Sequence, residues 1–223
     1  MTRLSDILSP AIKDFRRPCR PVIEVSTDSD FCRESVSRGL LTQAQMEHAA
    51  AQYRLGRSRS GKTIFWMIDD LGIVRDGRIG DAWVSQMMKA REPRLFRWWY
   101  VQHCLFGLHL LSLDDSRRNA AVSIVESERS AVILSELLKK NIWLATADRM
   151  NFNILSLQPL TGRKVAVFPR TDPLGENYVS WLEMADYARR TLGLDISVKD
   201  VLEENASSSQ KERQIDILEY ITE

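Results

Sequence analysis

The chain has little of what marks an extracellular, membrane-spanning or metal-stapled protein. Its three cysteines, Cys19, Cys32 and Cys104, are widely spaced and form no CxxC pair. An odd, scattered set argues against a disulfide framework and against a zinc knuckle, so no zinc is expected and the expected compartment is a reducing cytoplasm. No apolar run approaches the ~20 residues that span a bilayer, so no membrane partner is expected either. The opening MTRLSDILSPAIKDF is broken by Asp6 and Pro10 and does not read as a signal peptide. His103 and His109 are too far apart for an i, i+4 ligand pair and have no acidic partner nearby in sequence, so both are expected to be core or surface residues. No internal repeat is visible.

Net charge is also lacking, at +1 over 223 residues, but the two ends differ. Residues 1–110 carry 17 Lys/Arg against 12 Asp/Glu, whereas residues 195–223 carry 3 against 8. A basic front half suits an anionic partner, DNA or RNA above all; ordinary solvated surface is the competing reading. Hydrophobic content of 44% and charged content of 27% fit a globular chain of one ordinary domain or two small ones.

The first forty residues read as irregular, with a short helix through Phe31 and Val36 that Gly39 ends. Residues 41–115 read as a small α+β subdomain. Thr42 and Gln45 form a capping box before MEHAAAQYRL, with Gly56 expected to close that helix. GRSRSGK is a loop, and KTIFWMID, a turn and IVRDGRIG form an antiparallel strand pair. The loop and its surroundings supply Arg54, Arg57, Arg59 and Lys62, and the strand Arg75 and Arg78. REPRLFRWWYVQ then sets Arg94 and Arg97 beside Trp98 and Trp99. Basic residues among aromatics can hold phosphates while stacking bases, although such aromatics also serve as core.

From residue 119 to 223 the pattern is a regular alternation. Strands are expected at 122–125, 142–145, 164–168 and 196–198, with helices at 130–140, 152–157 and 178–192. Short apolar runs separated by amphipathic helices predict an α/β fold: a mostly parallel sheet with helices on both faces. Ligands bind at the carboxyl ends of such strands, where Glu126, Thr146, Asp148, Arg170 and Asp172 would lie. The tail is expected to end in a docking helix with Ile215, Leu218 and Ile221 on one stripe.

IVESE followed by a helix, and later FPRTDPLG, resemble the Toprim domain of bacterial DNA primases, topoisomerases and related nucleases. In that family one strand ends in a glutamate and a later one in Asp-x-Asp, often followed by glycine. Glu126 matches the glutamate, Asp172 the second aspartate and Gly175 the glycine. Upstream, YRLGRSRSGKTIFWMIDDLGIVRDGRIG and LFGL look like the subdomain that precedes the Toprim fold in the primase core. The run from about Gln52 to Ile217 is similar to primase-like Toprim proteins carried on mobile elements of Bacteroidetes.

The resemblance implies magnesium held by Glu126 and Asp172, phosphoryl transfer, DNA or RNA as partner, and contact with other replication or mobilisation proteins. It breaks at Arg170, which stands where the first Asp of Asp-x-Asp belongs, and at Ser127, where primases usually have glycine. The zinc module and helicase-binding region of full-length primases have no counterpart. Magnesium wants hard oxygen ligands, and a guanidinium at ~5 Å repels it by several kcal/mol even at an effective dielectric of about 20. Weak magnesium binding and little or no catalysis are therefore expected. The alternatives are an active primase-like nucleotidyltransferase or nuclease, and an α/β interaction module without nucleic acid.

Overall fold

A computed structural model describes residues 23–91, 103–112 and 119–223. Two compact units divide at Ser112 and Leu113, each with its own four-stranded sheet.

In the first unit, helices α1 (Asp30–Ser37) and α2 (Gln43–Tyr53) precede strands β1 (Gly56–Arg57), β2 (Thr63–Ile68), β3 (Val74–Ile79) and β4 (Ala82–Trp83), and helix α3 (Val84–Arg91) follows. The sheet is antiparallel in chain order, so the expected strand pair gains a short strand on each side. Every residue of β2 is buried, because both of its faces are covered. Ile64, Trp66 and Ile68 pack with Ile79, Val84 and Met88 on one side. On the other, Phe65 meets Phe31 and Phe106, and Tyr53 stacks on Phe106 at 5.1 Å. The continuous apolar run TIFWMI reflects that double burial.

The capping box of Thr42 and Gln45 forms as expected. Gly56 does not close the helix; Arg54 does, in the left-handed region at φ 53°. Gly56 is needed for a different reason. A Cβ there would lie 2.6 Å from Trp66 Nε1, and one at Gly77 would lie 2.7 Å from Trp66 Cε3. The indole of β2 is thus seated between backbone on both neighbouring strands.

The second unit contains β5 (Val122–Val125), α4 (Glu128–Leu137), β6 (Ile142–Ala145), α5 (Ile154–Leu157), β7 (Lys164–Val167), α6 (Glu176–Leu192) and β8 (Asp195–Val198). Three short helices follow, α7 (Val201–Asn205), α8 (Ser208–Glu212) and α9 (Ile217–Thr222). All strand pairs are parallel, in the order β6-β5-β7-β8, and helices flank the sheet. The α/β alternation read from the sequence is present; α4 begins earlier than expected because Ser127 caps it through Ser130 N, and it ends at Leu137 because Leu138 leaves helical geometry.

The chain leaves β5 toward β6 on one side and later places β7 on the other. The topological switch point, where doubly wound sheets bind ligands, therefore lies between the carboxyl ends of β5 and β7. The tail docks beside it. Thr171 N–H donates to the Ile215 carbonyl at 3.0 Å, and the Ser130 hydroxyl donates to buried Asp216. Ile215 and Leu218 are buried as expected, but Ile221 is exposed and Ile217 is buried instead; the helix begins only at Ile217, so Ile215 precedes it and shares no helical stripe with Leu218 and Ile221.

Candidate functional site

A cavity of about 420 Å³ opens at this switch point. Its lining includes Glu126, Arg149, Arg170, Asp172, Asn177 and Gln214. Glu126 follows β5 directly. Its carbonyl accepts from the N–H of Ala147, at 2.9 Å, a buried residue held at φ 63° just beyond β6. Arg170 and Asp172 follow β7, whose exit is fixed by Phe168 N–H donating to the Ile124 carbonyl. The three residues singled out from the sequence thus share one cavity at adjacent strand ends.

The Asp172 carboxylate is already engaged. Oδ1 accepts from the N–H groups of Leu174 and Glu176, both at 3.0 Å, and Oδ2 from Asn177 N–H at 2.8 Å. It anchors the start of α6 by meeting amides that have no partner within the helix. Burial raises its pKa, but the amides of Asn177, Glu176, Leu174 and Gly175 outweigh burial and hold it below the ordinary carboxylate value. A carboxylate accepts at about four positions, so roughly one remains for any ligand.

Arg170 is about one-third exposed, with Nη2 at 3.7 Å from Glu219 Oε2 of α9. Its Nε is buried without a partner. The donor set does not fit a magnesium ion well. Of its two candidate carboxylates one is largely consumed by backbone amides, and the third lining position, after β7, is Arg170, a cation, where an oxygen ligand would be needed. Asp148 is spent differently: its Oδ1 accepts from Met150 N–H at 2.8 Å and caps a single 3₁₀ turn. Thr146 is fully buried. Arg149, Asn177 and Gln214 were missed in the sequence. Arg149 opens the short 3₁₀ turn after Asp148 and Gln214 sits in a turn after α8, neither in a recognisable motif, and Asn177 looks like any first-turn helix residue.

The basic residues of the first unit are spread out. Arg57 at the end of β1 and Arg59 and Lys62 on the loop to β2 are exposed, and Ser58 N–H closes the loop by donating to the Lys62 carbonyl. Arg33 of α1 joins them: it and Arg57 both contact Asp28, whose carboxyl they hold below its usual pKa, Arg33 more strongly. Arg54 is the helix cap. Arg75 lies in β3 where its register with β2 shifts by one residue, its guanidinium bound to buried Asp69 at 2.6 Å, so its charge is answered within the hairpin. Arg78 lies over the Trp83 ring at 5.6 Å. Arg94, Arg97, Trp98 and Trp99 fall outside the described residues.

One polar cluster was not foreseen. Buried Asp76 accepts from Gly77 N–H and Ser85 N–H through Oδ1, and from the Ser85 hydroxyl and His103 Nε2–H through Oδ2. His103 stacks on Trp83 at 3.9 Å. Serine, histidine and aspartate meet, but the serine donates to the carboxylate and not to the imidazole. No nucleophile is activated, and the cluster works as a buried knot tying β3 to α3.

A family model described as a domain of unknown function, DUF6371, matches residues 35–171, more than half of the chain. The chain belongs to this family. The matched region contains Glu126, Arg149 and Arg170 and stops one residue short of Asp172. No curated protein and no solved structure matches the chain. Among the described residues no helix is long and apolar enough to cross a membrane.

Proposed function

We propose that this DUF6371 protein is a nucleic-acid-associated, Toprim-like protein of the cytoplasm, of the mobile-element kind its sequence resembles, with little or no catalytic activity. The observation that carries this reading is the cavity at the β5–β7 switch point. Glu126 and Asp172, to which the resemblance assigns magnesium, line it together, and Arg170 lines it with them in place of a third carboxylate. Arg170, with Arg149 beside it, can meet a phosphate directly. The exposed cations Arg57, Arg59 and Lys62 supply a sequence-independent backbone contact in the other unit. Replication or mobilisation proteins are the expected partners.

Fluorescence anisotropy with a labelled single-stranded oligonucleotide at several salt concentrations tests the reading. Binding is expected to weaken as salt rises, because phosphate contacts release counterions. Changing Arg57, Arg59 and Lys62 together to Ala weakens it further and lowers the log–log salt slope by about 2, the single-strand value for three lost contacts. A protein that ignores both DNA and RNA at low salt is an interaction module instead. The second reading, a magnesium-dependent nucleotidyltransferase or nuclease, is favoured by Glu126 and Asp172 lining one cavity, and it requires magnesium-dependent turnover of a primed or nicked substrate.

A further inference from the structure

The second unit carries a larger cavity that shares no lining residue with the one at the switch point. It measures about 870 Å³ and lies among the end of α4, the start of α7 and α9. Trp143 and Phe168 contribute its aromatic surface, with ring centroids 5.6 Å apart. Its rim is apolar: Leu137, Leu138 and Ile221, each 40–46% exposed, are gathered around one concavity. Apolar side chains left in water around a concavity mark a surface that gains by being covered. The volume lies within the ~300–1,000 Å³ typical of pockets that enclose a small molecule.

The charges on this rim select the occupant. Glu136 is answered by Lys139 at 3.2 Å. Lys140 and Lys199 are exposed at the cavity edge, with no side-chain partner among the described residues, and only Asp200 opposes them there. The edge therefore holds one surplus positive charge beside an apolar interior. Trp143 adds no donor to it, because its indole N–H is used on the Leu138 carbonyl at 3.1 Å. A wholly apolar ligand would gain nothing from the two solvated lysines, and a polyanion would leave Leu137, Leu138 and Ile221 wet.

We propose that this cavity binds a free amphipathic anion, with an apolar chain against Leu138, Trp143, Phe168 and Ile221 and an acidic head between Lys140 and Lys199. This assignment is independent of any activity at the switch point, so failure of one leaves the other standing.

Calorimetric titration of the full chain with dodecanoate, kept below its micelle concentration, tests it. One molar equivalent is expected to bind, with dodecyltrimethylammonium at least about tenfold weaker, a difference of about 1.4 kcal/mol. The double variant Lys140→Glu, Lys199→Glu is expected to lose at least tenfold for dodecanoate. Leu138→Asp is expected to abolish binding while urea unfolding shows both variants folded; should Leu138→Asp fail to fold, Ile221→Asp takes its place. Equal binding of the cationic amphiphile, unchanged affinity in the lysine variant, or no saturable heat with dodecanoate overturns the proposal. So does binding confined to phosphatidylglycerol vesicles, which would make the surface a membrane contact.

Discussion

Arg170 and Asp172 stand two residues apart after one strand, and each is committed by its surroundings. Asp172 serves α6, and Arg170 reaches toward Glu219 of α9. Replacing Asp172 by Ala removes three amide acceptors at once and is expected to cost about 2 kcal/mol, the upper end for a lost helix cap. Urea unfolding measures the loss, and hydrogen exchange at the amides of Leu174, Glu176 and Asn177 should quicken; unchanged protection there contradicts the assigned role. His109 sets a pH dependence of its own. Burial pushes its pKa down to about 4, against the weaker opposing pull of the Gln52 carbonyl that accepts from Nε2–H at 3.1 Å. Its ordinary value is near 6.5, so between pH 6.5 and 4 the unfolded chain binds a proton that the folded chain refuses. Stability is full above that window and falls by up to about 3 kcal/mol as pH drops through it. Asp172, with its lowered pKa, keeps its contribution above the ordinary carboxylate value and loses it only at more acid pH. Unfolding midpoints from pH 7 to 4.5 should therefore decline, and the decline should flatten in His109→Gln; equal slopes in both proteins contradict it.

Among the elements, β2 shows how a sequence signal is read correctly for its type and incompletely for its cause. The run TIFWMI identifies a buried strand, but not that Trp66 needs bare backbone on both neighbours. Gly77→Ala puts a methyl group into a fully buried indole and is expected to destabilise the first unit by about 1–3 kcal/mol, as overpacking does. Thermal unfolding checks this; a neutral Gly77→Ala would mean that Trp66 can move aside. The start of α2 was legible because Thr42 and Gln45 carry a capping box, whereas α4 begins two residues before its expected start, at the cap that Ser127 supplies. The end of α2 was not, because Arg54 adopts a left-handed conformation that residue type does not favour, while the nearby Gly56 offers an easier stop. Asp172 was legible as a carboxylate after a strand. Its role as the anchor of α6 depends on a turn, Pro173 to Gly175, that aims three amides back at it. Arg75 was legible as a cation and not as the partner of Asp69 across the hairpin.

At the scale of the whole molecule, the two units each enclose a sheet, and the alternation of apolar runs with amphipathic helices was enough to anticipate the parallel one. Strand order was beyond it, since periodicity says nothing of which side of β5 receives β6 and which receives β7. That order is what brings the ends of β5 and β7 together, and with them Glu126, Arg170 and Asp172. Gln214 reaches the same cavity only because the tail returns to Thr171, a contact that 44 residues of separation conceal. The proposed function makes Arg170 the occupant of a metal-binding carboxylate's place, from which it keeps the ion out. Calorimetric titration of magnesium into the natural protein and into Arg170→Asp tests it most directly. The natural protein is expected to show no saturable binding below the millimolar range, and Arg170→Asp to bind at least about tenfold more tightly, since the change removes a repelling charge and adds an oxygen ligand. Tight binding by the natural protein, or no gain in Arg170→Asp, would contradict the claim.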